Sequence, residues 1–521
     1  MSTYQNPFSE ANQTNSSFVG QNVPADLNEA ETNSIFLGEK ILNGELLTDQ
    51  KVKILLKNLN RHGLISGATG TGKTKSLQLL CEQLVSSGVS VLAMDMKGDL
   101  SGLSQMGELN SKVQERIDKM RLLWNSKSFP VEFLNISNDL GVKLRSTVSE
   151  FGPVLFSKIL NLNDTQTSVM SMIFKYCDDN GLLLIDLEDI KKVLTYLTQD
   201  GKIEIQKIYG QISPATMNII MRQIIQLEQQ GAADFFGEPS FQVSDLLNNK
   251  VNIFNVDKIQ DKPMLFSTFM LSLLAEIYGT YPEVGDLEKP KLIIFIDEAH
   301  LIFDNATNEL KSQLETVIKL IRSKGVGIVF ITQHPTDIPE SILAQLSLKI
   351  QHALRAFTPK DRKDIKLIAD NFPITKEYDV EDVLTNLGIG EALVTSLDKN
   401  GIPTPTTHAL ICPPESRMDV ITQGEKLDII NSSILVKKYD LKLDPESAEE
   451  IIVKRIEEKM ARQEEARFET EKKPKSKETF LDQFGDVFDN PLSKQVGRNV
   501  KNTIAREITR NLFGMIGIGK K

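Results

Sequence analysis

Residues 60–80, NRHGLISGATGTGKTKSLQLL, restrict the possible folds more than any other part of the chain. Within them Gly67, Ala68, Thr69, Gly70, Thr71, Gly72, Lys73 and Thr74 complete the pattern G-x-x-x-x-G-K-[ST]. The apolar run Gly63-Leu64-Ile65 predicts a buried strand before it. Leu77, Leu80 and Leu84 recur at helical spacing and predict a helix over residues 75–85 after it. In such a frame the glycines let successive backbone N–H groups face a phosphate, and the helix N-terminus adds a favourable dipole. Lys73 reaches the β- and γ-phosphates, and the hydroxyl of Thr74 is a ligand for Mg2+. A chance lysine in a glycine-rich turn would lack the flanking strand and helix. The segment therefore predicts a nucleoside triphosphate site.

A second constellation supplies the matching carboxylates. Residues 291–296, KLIIFI, form a hydrophobic strand pattern that ends in Asp297 and Glu298. Asp297 is suited to hold the Mg2+ shell, directly or through water, and Glu298 to polarise an attacking water. Two acids at a strand end are common by themselves; their pairing with a complete phosphate loop gives them weight. Asp297-Glu298-Ala299-His300 also spells a DEAH box, but the other motifs of that helicase class are missing, and His300 is expected to face a neighbouring helix. After the next apolar run comes Gln333, a polar group placed to sense the γ-phosphate. Arg322 ends the helix before that run. It is either a finger delivered across a subunit boundary or a cation complementing a helix C-terminus, with Arg61, Arg355 and Arg362 as alternatives for the finger. Trp124 and the methionines read as packing residues.

Composition bounds the class. The 521 residues are 40% apolar and 25% charged, with a formal net charge of −10. That is an ordinary soluble composition; it argues against a generally basic nucleic-acid coat but leaves room for a local basic channel. Cys81, Cys177 and Cys412 are odd in number and far apart, so neither a disulfide framework nor a zinc site is expected. No run approaches the ~20 apolar residues of a spanning helix. The start, MSTYQNPFSEANQ, has no basic-then-apolar pattern of a secretory signal. A cytoplasmic protein without membrane attachment is expected.

Apolar runs at residues 63–65, 89–95, 130–135, 251–256, 291–297, 325–332 and 348–354 alternate with helical patterns, which predicts an α/β core with a mostly parallel sheet and helices on both faces. Between residues 144 and 245 helical patterns dominate, so a helical subdomain is inserted into that core. The expected organisation is a disordered leader at 1–34, core at 35–143, helical insert at 144–245, core again at 246–415 and a helical tail at 416–521. In the tail, Asp444-Pro445 reads as the start of a long charged helix to about residue 471, solvated on most sides of its Ile452, Ile456, Met460 stripe. Val496, Val500, Ile504, Ile508 and Leu512 mark a basic amphipathic helix that could be a solvated face, contact phosphates or lie on an anionic membrane; among its functional roles, docking of its apolar stripe on the core is favoured.

Taken together, NRHGLISGATGTGKT, MDMKGDLSGL, LEQQGAADFFGEP, GDLEKPKLIIFIDEAHLIF, IRSKGVGIVFITQHPTDIP and QHALRAFTPKDRK resemble the HerA/FtsK superfamily of P-loop motors, in its HerA-like bacterial branch, over about residues 34–418. The resemblance implies a RecA-like core, a homo-oligomeric and usually hexameric ring, ATP hydrolysis with Mg2+, and movement along DNA. It matches Lys73 and Thr74 to Walker A, Asp297 and Glu298 to Walker B and Gln333 to the sensor. It also implies nucleotide contacts for Arg322 and Arg61. The chain departs from archaeal HerA in having too few residues before the phosphate loop for the full N-terminal β-barrel, which puts a partner nuclease in doubt. The transmembrane segments of FtsK are also absent. The expectation is a ring-forming ATPase motor on DNA. The rivals are a secretion-type ATPase acting on polypeptide and a nucleotide-dependent assembly switch or scaffold with slow hydrolysis.

Overall fold

The computed structural model describes residues 33–136, 139–256, 262–285, 287–304, 308–356 and 358–472. The expected leader, apart from its last two residues, and the amphipathic helix at 496–513 lie outside them. One twelve-stranded sheet organises the described residues. Its strands are β1 Ser34–Leu42, β2 Glu45–Leu55, β3 Gly63–Ser66, β4 Ser90–Asp95, β5 Val131–Asn135, β6 Val142–Lys143, β7 Val251–Asn255, β8 Leu292–Ile296, β9 Val326–Thr332, β10 Leu348–Gln351, β11 Glu391–Thr395 and β12 Thr407–Ile411. They lie in the order β2-β1-β12-β11-β10-β3-β9-β8-β4-β7-β5-β6. From β10 to β6 every pairing is parallel, whereas β2, β1, β12 and β11 extend the sheet antiparallel beyond β10.

The uninterrupted apolar runs of the parallel strands have a simple cause: each is buried on both faces. Leu292, Ile294 and Ile296 of β8 enter one core, with Leu92 and Met94 of β4 and the inserted helices. The alternate residues Ile293 and Phe295, with Val91 and Ala93, enter the other core against Leu77, Leu80 and Leu84 of the phosphate-loop helix. The insert comprises helices Val148–Ile159, Asp164–Asp179, Leu187–Thr198, Lys202–Ile208 and Pro214–Gln229, between β6 and β7. Asn163 and Gln166 satisfy one another's backbone N–H groups in a capping box, as do Asp186 and Asp189.

One expectation needs correction. The antiparallel extension begins with a hairpin that turns through Asn43 and Gly44 at φ 52° and 82°. β11 and β12 pair with β10 and β1, strands far away in sequence. The long C-terminal helix spans Ala448–Lys472 and does not start at Asp444-Pro445. Asp189 of the insert accepts hydrogen bonds from the Glu449 N–H at 2.9 Å and the Ser447 hydroxyl at 2.5 Å, so a tertiary contact sets the start. Ala448 and Ile452 are fully buried there, and Met460 is exposed. No helix among the described residues is long and apolar enough to cross a membrane.

Candidate nucleotide site

The phosphate loop leaves the C-terminal end of β3 and runs into helix Lys73–Ser86. Gly67, at φ 147°, passes so close to His352 that an added Cβ would lie 2.6 Å from the histidine Cβ. Gly72, at φ 119°, occupies the N-cap of the helix. Both positions demand glycine because an L side chain is strained in this region of backbone space. The Ala68 N–H donates to the Ala353 carbonyl at 2.8 Å, and the Gly390 N–H donates to the Thr71 carbonyl at 2.9 Å. The Thr71 hydroxyl closes the loop on the Ala68 carbonyl at 2.7 Å. Lys73 lies across the loop, with Nζ 2.6 Å from the Gly67 carbonyl oxygen. Burial lowers its pKa, partly offset by Glu298 and Asp297.

The strand order brings the remaining groups to the same edge. β9 lies between β3 and β8, with Thr332 in register with Ser66 and Phe330 with Ile296. Gln333 therefore follows β9 between the phosphate loop and the two acids. Asp297 is a half-buried carboxyl pushed up to about 6, chiefly by burial and then by the charge of Glu298. It accepts the Glu298 N–H at 3.0 Å. Glu298, at φ 46°, carries a mostly buried side chain whose Oε1 is 3.1 Å from Lys97 Nζ. His300 opens helix His300–Asp304, and its Nδ1 is 3.5 Å from Glu298 Oε2.

Thr74 and Asp297 provide hard oxygen donors suited to Mg2+. No cluster of three or more His, Cys, Asp or Glu suited to a metal is present among the described residues. A Mg2+ ion beside a nucleotide takes only one or two protein oxygens together with phosphates and water. The donor set thus fits the ion; when bound it would neutralise phosphate charge.

Arg61 and Arg322 are brought together elsewhere. Arg61 precedes β3 and Arg322 precedes β9, so both occupy the opposite, N-terminal edge of the parallel strands. β3 alone interposes roughly 13 Å of strand between that edge and the phosphate loop. They line a cavity of about 530 Å³ together with Lys319 and Lys349, and among the described residues none that lines it is acidic. Arg355 donates to the Thr385 carbonyl at 3.0 Å.

Sequence reasoning missed two groups at the site. Buried His352 follows β10 and braces the phosphate loop; its signal was a polar pair, Gln351-His352, ending an apolar run. Lys97 stood inside a matched segment but had no role assigned. Its turn is held by buried Asp95, whose carboxylate accepts from the N–H groups of Lys97, Gly98 and Leu100 at 3.2, 2.9 and 2.9 Å.

Comparison with known proteins adds to this geometry. The family model described as helicase HerA-like C-terminal matches residues 40–521. The DNA double-strand break repair helicase HerA of Sulfolobus acidocaldarius is 22% identical over 386 residues, covering 73% of this chain and 70% of that protein. The protein of the same name from Sulfurisphaera tokodaii is 24% identical over 388 residues, covering 70% of this chain and 68% of that protein. Among solved structures, plasmid coupling protein TrwB in complex with ADP and Mg2+ superposes with a TM-score of 0.49 at 15% identity, covering 77% of this chain and 94% of that one. VirB4 of Thermoanaerobacter pseudethanolicus superposes with a TM-score of 0.43 at 17% identity, covering 75% and 98%.

Proposed function

The chain belongs to the helicase HerA-like C-terminal family and is a P-loop ATPase; from that premise we propose that it is a ring-forming motor that couples ATP hydrolysis to movement on DNA. The observation that carries the chemical part is the convergence at one sheet edge. Gly67–Thr74 follow β3, Asp297 and Glu298 follow β8, and Gln333 follows β9, the strand between them. In this reading the phosphate loop and Lys73 bind the triphosphate, and Thr74 and Asp297 would hold Mg2+, which would neutralise phosphate charge. Glu298 takes a proton from the lytic water as the water oxygen attacks the γ-phosphorus and the bond to the β-phosphate oxygen breaks. Gln333 orients that water.

The position of the arginines supports assembly. Arg61 and Arg322 sit at the edge remote from their own phosphate loop, so a role at a nucleotide requires the nucleotide of a neighbouring copy. A head-to-tail ring, hexameric in this proposal, would supply that contact. DNA as the track is supported by the named activity of the HerA relatives. The test is ATPase rate with no polymer, with double-stranded DNA and with single-stranded DNA, alongside a measurement of particle mass. DNA-stimulated turnover by a ring is the expected result. Turnover indifferent to DNA would favour the polypeptide motor, and assembly without ADP formation would favour the scaffold.

A further inference from the structure

The ion pair between Lys97 and Glu298 has no part in the hydrolysis chemistry above, yet it occupies the proposed base. Lys97 is on the turn after β4, and three backbone hydrogen bonds to the Asp95 carboxylate hold that turn in place. β4 pairs with β8 so that Met94 is level with Ile296, which brings the turn alongside Asp297 and Glu298. The Lys97 ammonium is 3.1 Å from Glu298 Oε1; its side chain is 54% exposed, whereas that of Glu298 is 13% exposed. Glu298 Oε2 is buried and makes no hydrogen bond among the described residues, with His300 Nδ1 3.5 Å away. Lys97 is also close enough to Lys73 for its charge to oppose that of Lys73. The lysine that clasps the base is therefore within electrostatic reach of the lysine that faces the phosphates.

We propose that Lys97 is a positioning residue that acts as a latch released by the terminal phosphate: it holds Glu298 until a nucleoside triphosphate binds, then moves to the γ-phosphate and leaves Glu298 free to accept the proton of water. The proposal rests on the ATPase reading and adds its regulation. A γ-phosphate presents more negative charge and more acceptor oxygens than one carboxylate, so it competes successfully for a half-exposed ammonium on a flexible stem. A diphosphate places no charge at that position, so the latch stays on Glu298. The base is thereby made available in the state that has a bond to hydrolyse.

The test is a double-mutant cycle on nucleotide affinity, with Lys97→Gln, Glu298→Gln and the double variant titrated with Mg2+–ADP and with a non-hydrolysable Mg2+–ATP analogue. Lys97→Gln should weaken the analogue about tenfold, the scale of one charge-assisted hydrogen bond, and leave ADP affinity within about twofold. Glu298→Gln should tighten the analogue by releasing Lys97, and that gain should vanish when Lys97 is already glutamine. Lys97→Arg should retain the preference for the analogue. Equal weakening of both nucleotides in Lys97→Gln, or an effect of Glu298→Gln that ignores the residue at 97, overturns the latch while wild-type binding upholds the nucleotide site. Failure of the wild type to bind either nucleotide overturns the latch together with the reading beneath it.

Discussion

His352 and Ser76 are joined by a 2.9 Å hydrogen bond between the imidazole Nε2 and the serine hydroxyl, at the start of the phosphate-loop helix. The opposite ring nitrogen, Nδ1, is 2.9 Å from the Glu391 carbonyl oxygen. A carbonyl can only accept, so Nδ1 carries the hydrogen and Nε2 accepts from Ser76. One neutral imidazole thus ties the nucleotide helix to β11, while its own backbone N–H donates to the Ser66 carbonyl at 2.7 Å.

His352→Leu keeps most of the volume and removes both ring hydrogen bonds, leaving the Ser76 hydroxyl buried without its partner. A loss of about 1–3 kcal/mol in unfolding free energy is expected, with weaker nucleotide binding. Urea denaturation and nucleotide titration check this; unchanged values in both would remove His352 from the brace.

The same ring sets a pH dependence. Burial lowers the pKa of His352 to about 4, and that of His62 likewise to about 4, from an ordinary 6.5. Each pKa is depressed in the fold, so the unfolded chain binds the proton first as pH falls. Their contribution is full above about 6.5 and is lost as pH drops toward 4, by up to about 3 kcal/mol per ring. Glu276, pushed up to about 8 by burial, titrates with the opposite sign over part of this range. The informative measurement is therefore the difference between wild type and His352→Leu. Their stabilities should converge between pH 6.5 and 4.5; a constant gap would contradict the buried neutral imidazole.

Lys73→Ala removes the cation that lies across the phosphate loop. ATP affinity should fall about 10–100-fold, the scale of a charge-assisted hydrogen bond to phosphate. Isothermal titration with Mg2+–ATP measures it, and near-normal affinity would reject the assignment.

Glu298→Gln should still bind Mg2+–ATP but hydrolyse it at least ~100-fold more slowly, as expected for the loss of a general base. Turnover at the wild-type rate would move the catalytic role to another acid, with Asp99 the first to examine.

Arg322→Ala should retain nucleotide binding and lose turnover. Mixing it with Glu298→Gln should restore part of the activity, because one intact interface can form between two differently defective subunits. If the mixture stays inactive although rings assemble, Arg61, in the same basic cavity, becomes the better candidate.

Much of the site could be read directly from residue order. The phosphate loop is a run of adjacent residues whose glycines, lysine and threonine act on one ligand, so its chemistry is local. The buried strands β3, β4, β8 and β9 were equally legible, because parallel strands covered on both faces are continuous apolar runs. Their end residues, Asp95, Asp297, Glu298 and Gln333, inherit a common edge from that parallel arrangement.

Other features depended on which strand lies beside which. Gly38 of β1 approaches β12 so closely that an added Cβ would lie 1.9 Å from the Leu410 carbonyl oxygen, and no local pattern names that partner. Arg61 is near Gly67 in sequence, yet β3 carries the two to opposite edges of the sheet. His352 and Lys97 reach the site because Gln351 is in register with Ser66 and Met94 with Ile296. Motif chemistry and apolar periodicity act over a few neighbouring residues and are written into the order of the chain. Register is a hydrogen-bonding match between segments separated by hundreds of residues, so it is settled when the sheet assembles, and with it the contacts that brace the phosphate loop and clasp its base.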